Sequence, residues 1–423
     1  MWDQAMRDLS EPSAAVALAF CAALTLINLV GIAVAAVRIG RRNGASVFPQ
    51  GAPVSLVRPV CGVETFSEEL LTRGFRLVHP SYELIFCVAD EADPIVPLVR
   101  RLMAAHPQVR SRLIVGDERI SDNPKLNNCV RGWEAARHDW VVLADSNVAM
   151  PPDYLQQLQA AWRPNTGLVC STPIGARPEG LFATVECAFL NTLQARWQYT
   201  GEALGLGFAQ GKSMLWHKPF LEARGGIRAL AAEIAEDAAA TKLVRAAGAR
   251  VHLVAAPFDQ PLGRRTLAEI WSRQLRWARL RRVTFPLFFA PEIGCGPLLP
   301  FGIALAAAPS PALAGSLLAL TGLWYAAEMA LAARAKWVRG PGLLLGFIIR
   351  DALIPFVWTS AWLRGAVLWR GNAMNIRTTM DLQTTRDLRT TRDSRTTMEI
   401  APPNTGAATR SPWRRLWPRA SAA

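Results

Sequence analysis

Twenty-five consecutive uncharged residues, SAAVALAFCAALTLINLVGIAVAAV from Ser13 to Val37, restrict what this chain can fold into more than any other feature. About twenty such residues cross the hydrocarbon core of a bilayer as a helix. RIGRR follows at once, from Arg38 to Arg42, and basic flanks stay on the cytoplasmic side. The expected arrangement has residues 1–12 outside, 13–37 spanning, and everything after Arg38 inside. A cleaved signal peptide does not fit, because the apolar run is too long and the residues before it are not basic.

A short Gly/Ser/Pro-rich link leads into residues 51–283, whose composition is that of a soluble domain. VSLVRPV, YELIFCVAD, SRLIVGD and WVVLADS read as strands. ELLTRGFRLVH, PIVPLVRRLMAAH and NNCVRGWEAAR between them read as helices. Apolar runs separated by helical patterns predict an α/β domain with a mostly parallel sheet covered on both faces. Ligands of such sheets gather at the carboxyl ends of the strands. Two predicted strands end there in an acid, Asp90 and Asp145.

Membrane character returns over residues 285–370. FPLFFAPEIGCGPLLPFGIALAAA is broken by Pro and Gly, whereas ALAGSLLALTGLWYAAEMALAA from Ala312 is a cleaner span. RAKWVRG from Arg334 is basic and expected on the cytoplasmic side. GLLLGFIIRDALIPFVWTSAWL from Gly342 is long enough to span but carries Arg350 and Asp351 at mid-depth. Ionisable groups there are costly, so they either tie helices together or serve the function. Two to three C-terminal membrane helices are expected, with the last free to span, re-enter or lie along the interface. Residues 375–423 contain RTTMDLQTTRDLRTTRDSRTTMEI, a polar repeat with nothing to bury, and read as a disordered basic tail. Acids interleave its arginines, which argues against a nucleic-acid partner.

The seven cysteines are odd in number and no two have a C-x-x-C spacing. That fits a reducing compartment and excludes a disulfide framework or zinc ribbon. The five histidines do not cluster, which argues against a zinc hydrolase.

Four marks then fall in order: Asp90, Asp145, the pair Glu236-Asp237 in EIAEDAAATK, and RQLRW from Arg273 to Trp277. Their order on such a sheet, next to membrane helices, resembles the processive and lipid-directed glycosyltransferases of the GT-A fold. Among these, residues 51–290 are most similar to the ceramide glucosyltransferase family. NPKLNN and IAED are the specific parts of the resemblance, which also takes in VRPVCGVE and YELIFCVADEADP.

The resemblance implies a UDP-sugar donor, a membrane lipid acceptor such as ceramide, and a divalent metal, Mg²⁺ or Mn²⁺. Asp90 is expected to accept hydrogen bonds from uridine or ribose, with Asp93 as the competing choice. Asp145 is expected to hold the metal on the diphosphate. Asn147 replaces the second carboxylate of the usual D-x-D, so the remaining ligands would come from phosphate and water. Lys125 would pair with phosphate, and Asn128 would support the same loop. Asp237 would act as general base toward the acceptor hydroxyl, tuned by Glu236. One base and in-line attack would invert an α-linked donor to a β-glycoside. Arg273 and Arg276 would bind the departing diphosphate, and Trp277 would pack on sugar or acceptor. Animal members of the family carry a histidine where this chain has Gln194, followed by Arg196 and Trp197. That departure opens the choice of sugar to galactose or glucuronic acid as well as glucose. Other lipid acceptors, processive polymer synthesis and a non-catalytic membrane scaffold are the competing readings.

Overall fold

A computed structural model describes residues 2–41, 46–363, 367–369 and 372–374. The expected tail, 375–423, lies outside them. The chain starts with helix α1, Trp2–Arg38. It alternates through β1 (Val54–Pro59), α2 (Ser67–Gly74), β2 (Tyr82–Val88), α3 (Ile95–Ala105), β3 (Ser111–Val115), α4 (Pro124–Ala135), β4 (Trp140–Ala144), α5 (Tyr154–Ala160), β5 (Thr166–Cys170) and β6 (Ile174–Glu179). Next come α6 (Leu181–Cys187), a π-helical stretch over Ala188–Ala195, α7 (Arg196–Ala203), β7 (Ser213–His217), α8 (Lys218–Glu222), α9 (Glu236–Ala246), β8 (Arg250–Leu253) and β9 (Asp259–Arg264). Helices α10 (Leu267–Thr284), α11 (Pro286–Phe289), α12 (Leu298–Ala307), α13 (Pro311–Arg334) and α14 (Pro341–Trp362) follow, then short strands β10 (Val367–Trp369) and β11 (Asn372–Met374).

Seven strands form the main sheet in the order β3-β2-β1-β4-β7-β5-β8. β1, β2, β3 and β4 pair in parallel, as do β5 and β8, while β7 runs antiparallel between β4 and β5. The mostly parallel α/β sheet expected from the sequence is therefore present, with β7 as the one reversal. β1 and β4 are buried at every position, as near-continuous apolar strands covered on both faces must be. Alternate residues feed two cores. Val57, Ile85 and Leu143 face the α4 side with Val130 and Trp133. Leu56, Phe86 and Val142 face α3 and α5 with Val99 and Tyr154. Because β1 pairs with β2 on one side and β4 on the other, the chain reverses its direction of travel between β1 and β4, the place where such sheets hold ligands.

Among the described residues three helices are long and apolar enough to cross a membrane: Pro12–Arg38, α13 and α14. A bent pair, Pro286–Gly294 with Leu298–Ala307 at 59°, would make a fourth. Phe20, Leu26 and Ile27 on α1 and Leu318 and Leu323 on α13 are exposed apolar side chains, as lipid-facing positions would be. Arg38 is buried, and its guanidinium donates to Glu202 (2.5 and 3.1 Å) and to the Leu253 carbonyl (2.8 Å), locking the end of α1 onto the sheet domain. Arg334 Nε donates to the Ala36 carbonyl (3.2 Å), so α1 and α13 end side by side and RAKWVRG lies at the Arg38 end of the bundle.

The mid-helix charges of α14 are fully buried. Arg350 pairs with Glu328 of α13 and with Asp351, both at 2.7 Å. Tyr325 Oη donates to Asp351 (2.9 Å), and Arg350 also donates to Thr192 Oγ1 (3.0 Å). The pair thus ties α14 to α13 and to the π-helical stretch. Along its length α14 rests on the sheet domain's helices: Ile354 joins Val185, Phe189 and Ile270, and Val357 and Ala361 join Ala278.

Candidate active site

The site is assembled where β4 ends, β7 begins, and the first turns of α4 and α9 meet. Asp145 follows β4 directly, and its N–H donates to the Lys212 carbonyl (3.0 Å), continuing the β4–β7 ladder by one step. That pairing sets Lys212 opposite Asp145. Arg58, buried in β1, holds the turn from behind by donating to the carbonyls of Asp145 (3.3 Å) and Ser146 (3.0 Å). Burial lowers the Arg58 pKa to about 10, offset in part by Tyr154 and Asp145.

Asn123 caps α4, accepting from the N–H groups of Lys125 (3.0 Å) and Leu126 (3.2 Å), with Pro124 as the first helical residue. Its amide also donates to Glu236 Oε2 (2.6 Å), joining the starts of α4 and α9. Lys125 Nζ lies 2.7 Å from both Asp145 Oδ1 and Glu236 Oε1 and donates to the Gly211 carbonyl. Gly211 is the close-approach position: a Cβ there would sit 2.7 Å from Glu236 Oε1 and 3.1 Å from Lys125 Nζ. Its N–H donates to Asp237 Oδ2 (3.3 Å).

The electrostatics follow from this packing. Burial raises the Asp237 pKa, the neighbouring Glu236 charge raises it further, and Lys125 only partly compensates, leaving it at about 7. For Asp145 the cost of burial is outweighed by Lys125 and Lys212, which hold its carboxyl well below the usual range. Burial pulls the Lys212 ammonium down, and the charge of Arg273 adds to this, so Arg273 is felt from the same cluster. Asp145 Oδ2 and Asn147 Oδ1 converge on one cation, the Lys212 ammonium, at 2.9 and 3.0 Å. Two oxygens aimed at one cation position suit a hard divalent ion. Among the described residues no three His, Cys, Asp or Glu side chains are grouped to hold a metal by themselves.

Lys125, Asp145, Glu236 and Asp237 are therefore brought together. Asp90 lies beyond the end of β2, exposed, with Oδ1 accepting from Ala92 N–H (2.9 Å). Asp93 is committed to the backbone, accepting from Gly62 N–H (2.9 and 3.1 Å) and Ile95 N–H (2.9 Å). Asn128 is buried and donates to the Cys87 carbonyl (2.8 Å), so it braces the strand ends and stands behind the cluster. Arg273, Arg276 and Trp277 sit half-buried on α10, which a Thr266–Glu269 capping box starts. Arg273 pairs with the buried Glu186 of α6 (2.5 Å), and Trp277 packs on Ala183, Leu190 and Leu262. Gln194 donates to Gln274 (2.8 Å), inside RQLRW.

Four partners were missed from sequence: Arg58, Glu186, Lys212 and Glu328. Arg58 and Glu328 carried a signal, a lone charge inside an apolar strand and inside an apolar span. Lys212 and Glu186 carried none, since their partners are set by strand register and helix packing. None of the seven cysteines, all of them among the described residues, is in a disulfide.

The chain is similar to known glycosyltransferases. The family model described as Glycosyl transferase family 21 matches residues 23–382. Ceramide glucosyltransferase 1 of Caenorhabditis elegans is 25% identical over 388 residues, 88% of this chain and 82% of the relative. Ceramide glucosyltransferase of Komagataella phaffii is 31% identical over 139 residues, 32% of this chain and 27% of the relative. Among solved structures, the mannosyltransferase PcManGT from Pyrobaculum calidifontis, in complex with GDP-Man and Mn²⁺, is 19% identical with a TM-score of 0.43, covering 82% of this chain and 97% of that one. The chain, a glycosyltransferase, belongs to glycosyl transferase family 21, the ceramide glucosyltransferase family.

Proposed function

We propose that this enzyme moves a hexose, glucose in the first place, from a UDP-sugar to the primary hydroxyl of ceramide with inversion, giving a β-glycosylceramide. The observation that carries the reading is Asp237: a partly buried carboxyl with a pKa of about 7, beside Glu236 and next to the Asp145–lysine cluster. A free hydroxyl is a poor nucleophile, and a carboxylate half ionised near neutrality is suited to take its proton as the bond forms. The acceptor oxygen bonds to the anomeric carbon on one face while the phosphate oxygen leaves from the other. The proton goes to Asp237, and the electron pair departs with UDP.

Lys125 and Lys212 would supply positive charge to the diphosphate, and Arg273 and Arg276 would add theirs from α10. Asp90 would meet uridine or ribose, Asn128 would steady the strand ends behind the donor, and Trp277 would pack on the sugar or the acceptor. A divalent metal, Mg²⁺ or Mn²⁺, brought by the donor diphosphate would meet Asp145 and Asn147 in exchange for the Lys212 ammonium, and there it would offset charge on the leaving group. The basic flank Arg38–Arg42 after the first apolar span and the candidate membrane helices support a multi-pass protein with its catalytic domain on the cytoplasmic side, here read as that of a bacterial inner membrane.

The test is transfer by the detergent-purified full chain from UDP-glucose, UDP-galactose or UDP-glucuronate to ceramide, a hopanoid or a polyprenyl phosphate. The expected product is β-glucosylceramide, with the anomer read by NMR. An α-linked product would refute the single-base mechanism, and product on a non-sphingoid lipid alone would replace the acceptor.

A further inference from the structure

Asp145 is a single negative charge touched by two ammonium groups. Lys125 reaches Oδ1 at 2.7 Å and also serves Glu236, so its charge is already shared between two acids. Lys212 reaches Oδ2 at 2.9 Å, and its second acceptor among the described residues is neutral, Asn147 Oδ1 at 3.0 Å. Its backbone is fixed by the β4–β7 ladder. Lys212 therefore stands at the point on which the Asp145 and Asn147 oxygens converge, held by a rigid strand.

We propose that Lys212 is a tethered cation. It fills the cation position between Asp145 and Asn147 and lends its charge to the donor diphosphate, so that a nucleoside diphosphate binds without an obligatory divalent metal. A metal ion reaches those oxygens only by displacing it. An ammonium supplies a point charge for phosphate and needs no defined coordination shell, whereas among the described residues no three His, Cys, Asp or Glu side chains are grouped to complete the shell of a divalent ion at Asp145 and Asn147. The inference rests on the UDP-sugar reading for its phosphate half. Its competition half stands on the Asp145–Lys212–Asn147 geometry alone.

The experiment uses the full chain in detergent and two probes, Mn²⁺ and UDP, with wild type, Lys212→Met and Lys212→Arg. Mn²⁺ binding alone is followed by electron paramagnetic resonance, and UDP binding by calorimetry in EDTA and in Mn²⁺. Wild type should bind UDP in EDTA within about fivefold of its affinity in Mn²⁺. Lys212→Met should lose about tenfold or more in EDTA and recover in Mn²⁺, and it should bind Mn²⁺ alone several-fold more tightly than wild type. Lys212→Arg, which keeps the charge, should behave as wild type in EDTA, and its thermal transition shows whether the strand end is intact. Mn²⁺ affinity unchanged by Lys212→Met overturns the competition. UDP binding by wild type that collapses in EDTA overturns the role in diphosphate binding. If UDP binds no variant under either condition, the donor reading fails, and the Mn²⁺ series still decides the competition.

Discussion

Glu236→Gln should move the acid limb of the pH–rate profile, and the structure sets how far. From a Cβ at Gly211, Glu236 Oε1 would be 2.7 Å away and Asp237 Oδ2 3.6 Å away. The two carboxylates are thus no more than about 6 Å apart, where unit charges at an effective dielectric of about 20 interact by about 2.8 kcal/mol, close to two pKa units. Removing the Glu236 charge should carry the Asp237 pKa from about 7 toward about 5. Activity requires ionised Asp237, so it falls as pH drops through that pKa, and the variant should stay active about two pH units further into acid. Lys125→Met removes a cation at a similar distance and should shift the limb by a similar amount toward alkali. The assay is kcat/KM for UDP-glucose with a short-chain fluorescent ceramide between about pH 5 and pH 9. A Glu236→Gln limb that stays near 7, or moves upward, in a protein with unchanged Tm would refute the coupling and with it the assignment of the titrating group.

Gly211→Ala should cost at least about tenfold in turnover, because its methyl would sit 2.7 Å from Glu236 Oε1, and UDP calorimetry with Tm separates this from misfolding. Glu202→Gln should destabilise the protein by about 3 to 5 kcal/mol in thermal unfolding at pH 7, since it breaks a buried pair. Burial alone would raise the Glu202 carboxyl, but His252 and Arg38 hold it at about 2. Its stabilisation is complete above the ordinary carboxylate pKa and lost as pH falls toward 2, an acid loss the variant should lack. Deleting residues after Asn375 should leave transfer within about twofold of the full chain, measured on protein that still inserts into membranes.

Most of the frame could be read from local pattern. The long apolar run predicted α1, and the alternation of apolar runs with helical spacing predicted the parallel sheet. Asp145 and Glu236-Asp237 stood out through their order along the chain and the resemblance carried by NPKLNN and IAED, since an acid after a strand or at a helix start has an ordinary structural reason by itself. What escaped reading depends on distant pairing. SMLWH forms β7, and only its antiparallel place beside β4 brings Lys212 onto Asp145. Arg273 was expected on phosphate, yet its carboxylate partner Glu186 comes from α6 packing. Asp90 was expected on uridine or ribose, with Asp93 as the competing choice. The backbone donors that occupy Asp93 and leave Asp90 exposed come from the β1 and β2 loops folding together.

The most direct test of the account is single-turnover transfer by Asp237→Asn, run beside UDP binding. The substitution keeps size and hydrogen-bonding shape and removes only the proton acceptor. General-base catalysis is worth about 10²- to 10⁴-fold, so transfer should fall by at least about a hundredfold, roughly 2.7 kcal/mol of barrier, with UDP affinity within a few-fold of wild type. A helix-dipole role alone would cost about 0.3–1 kcal/mol of stability and little turnover. Transfer by Asp237→Asn within about threefold of wild type would contradict the account and move the base to another carboxylate.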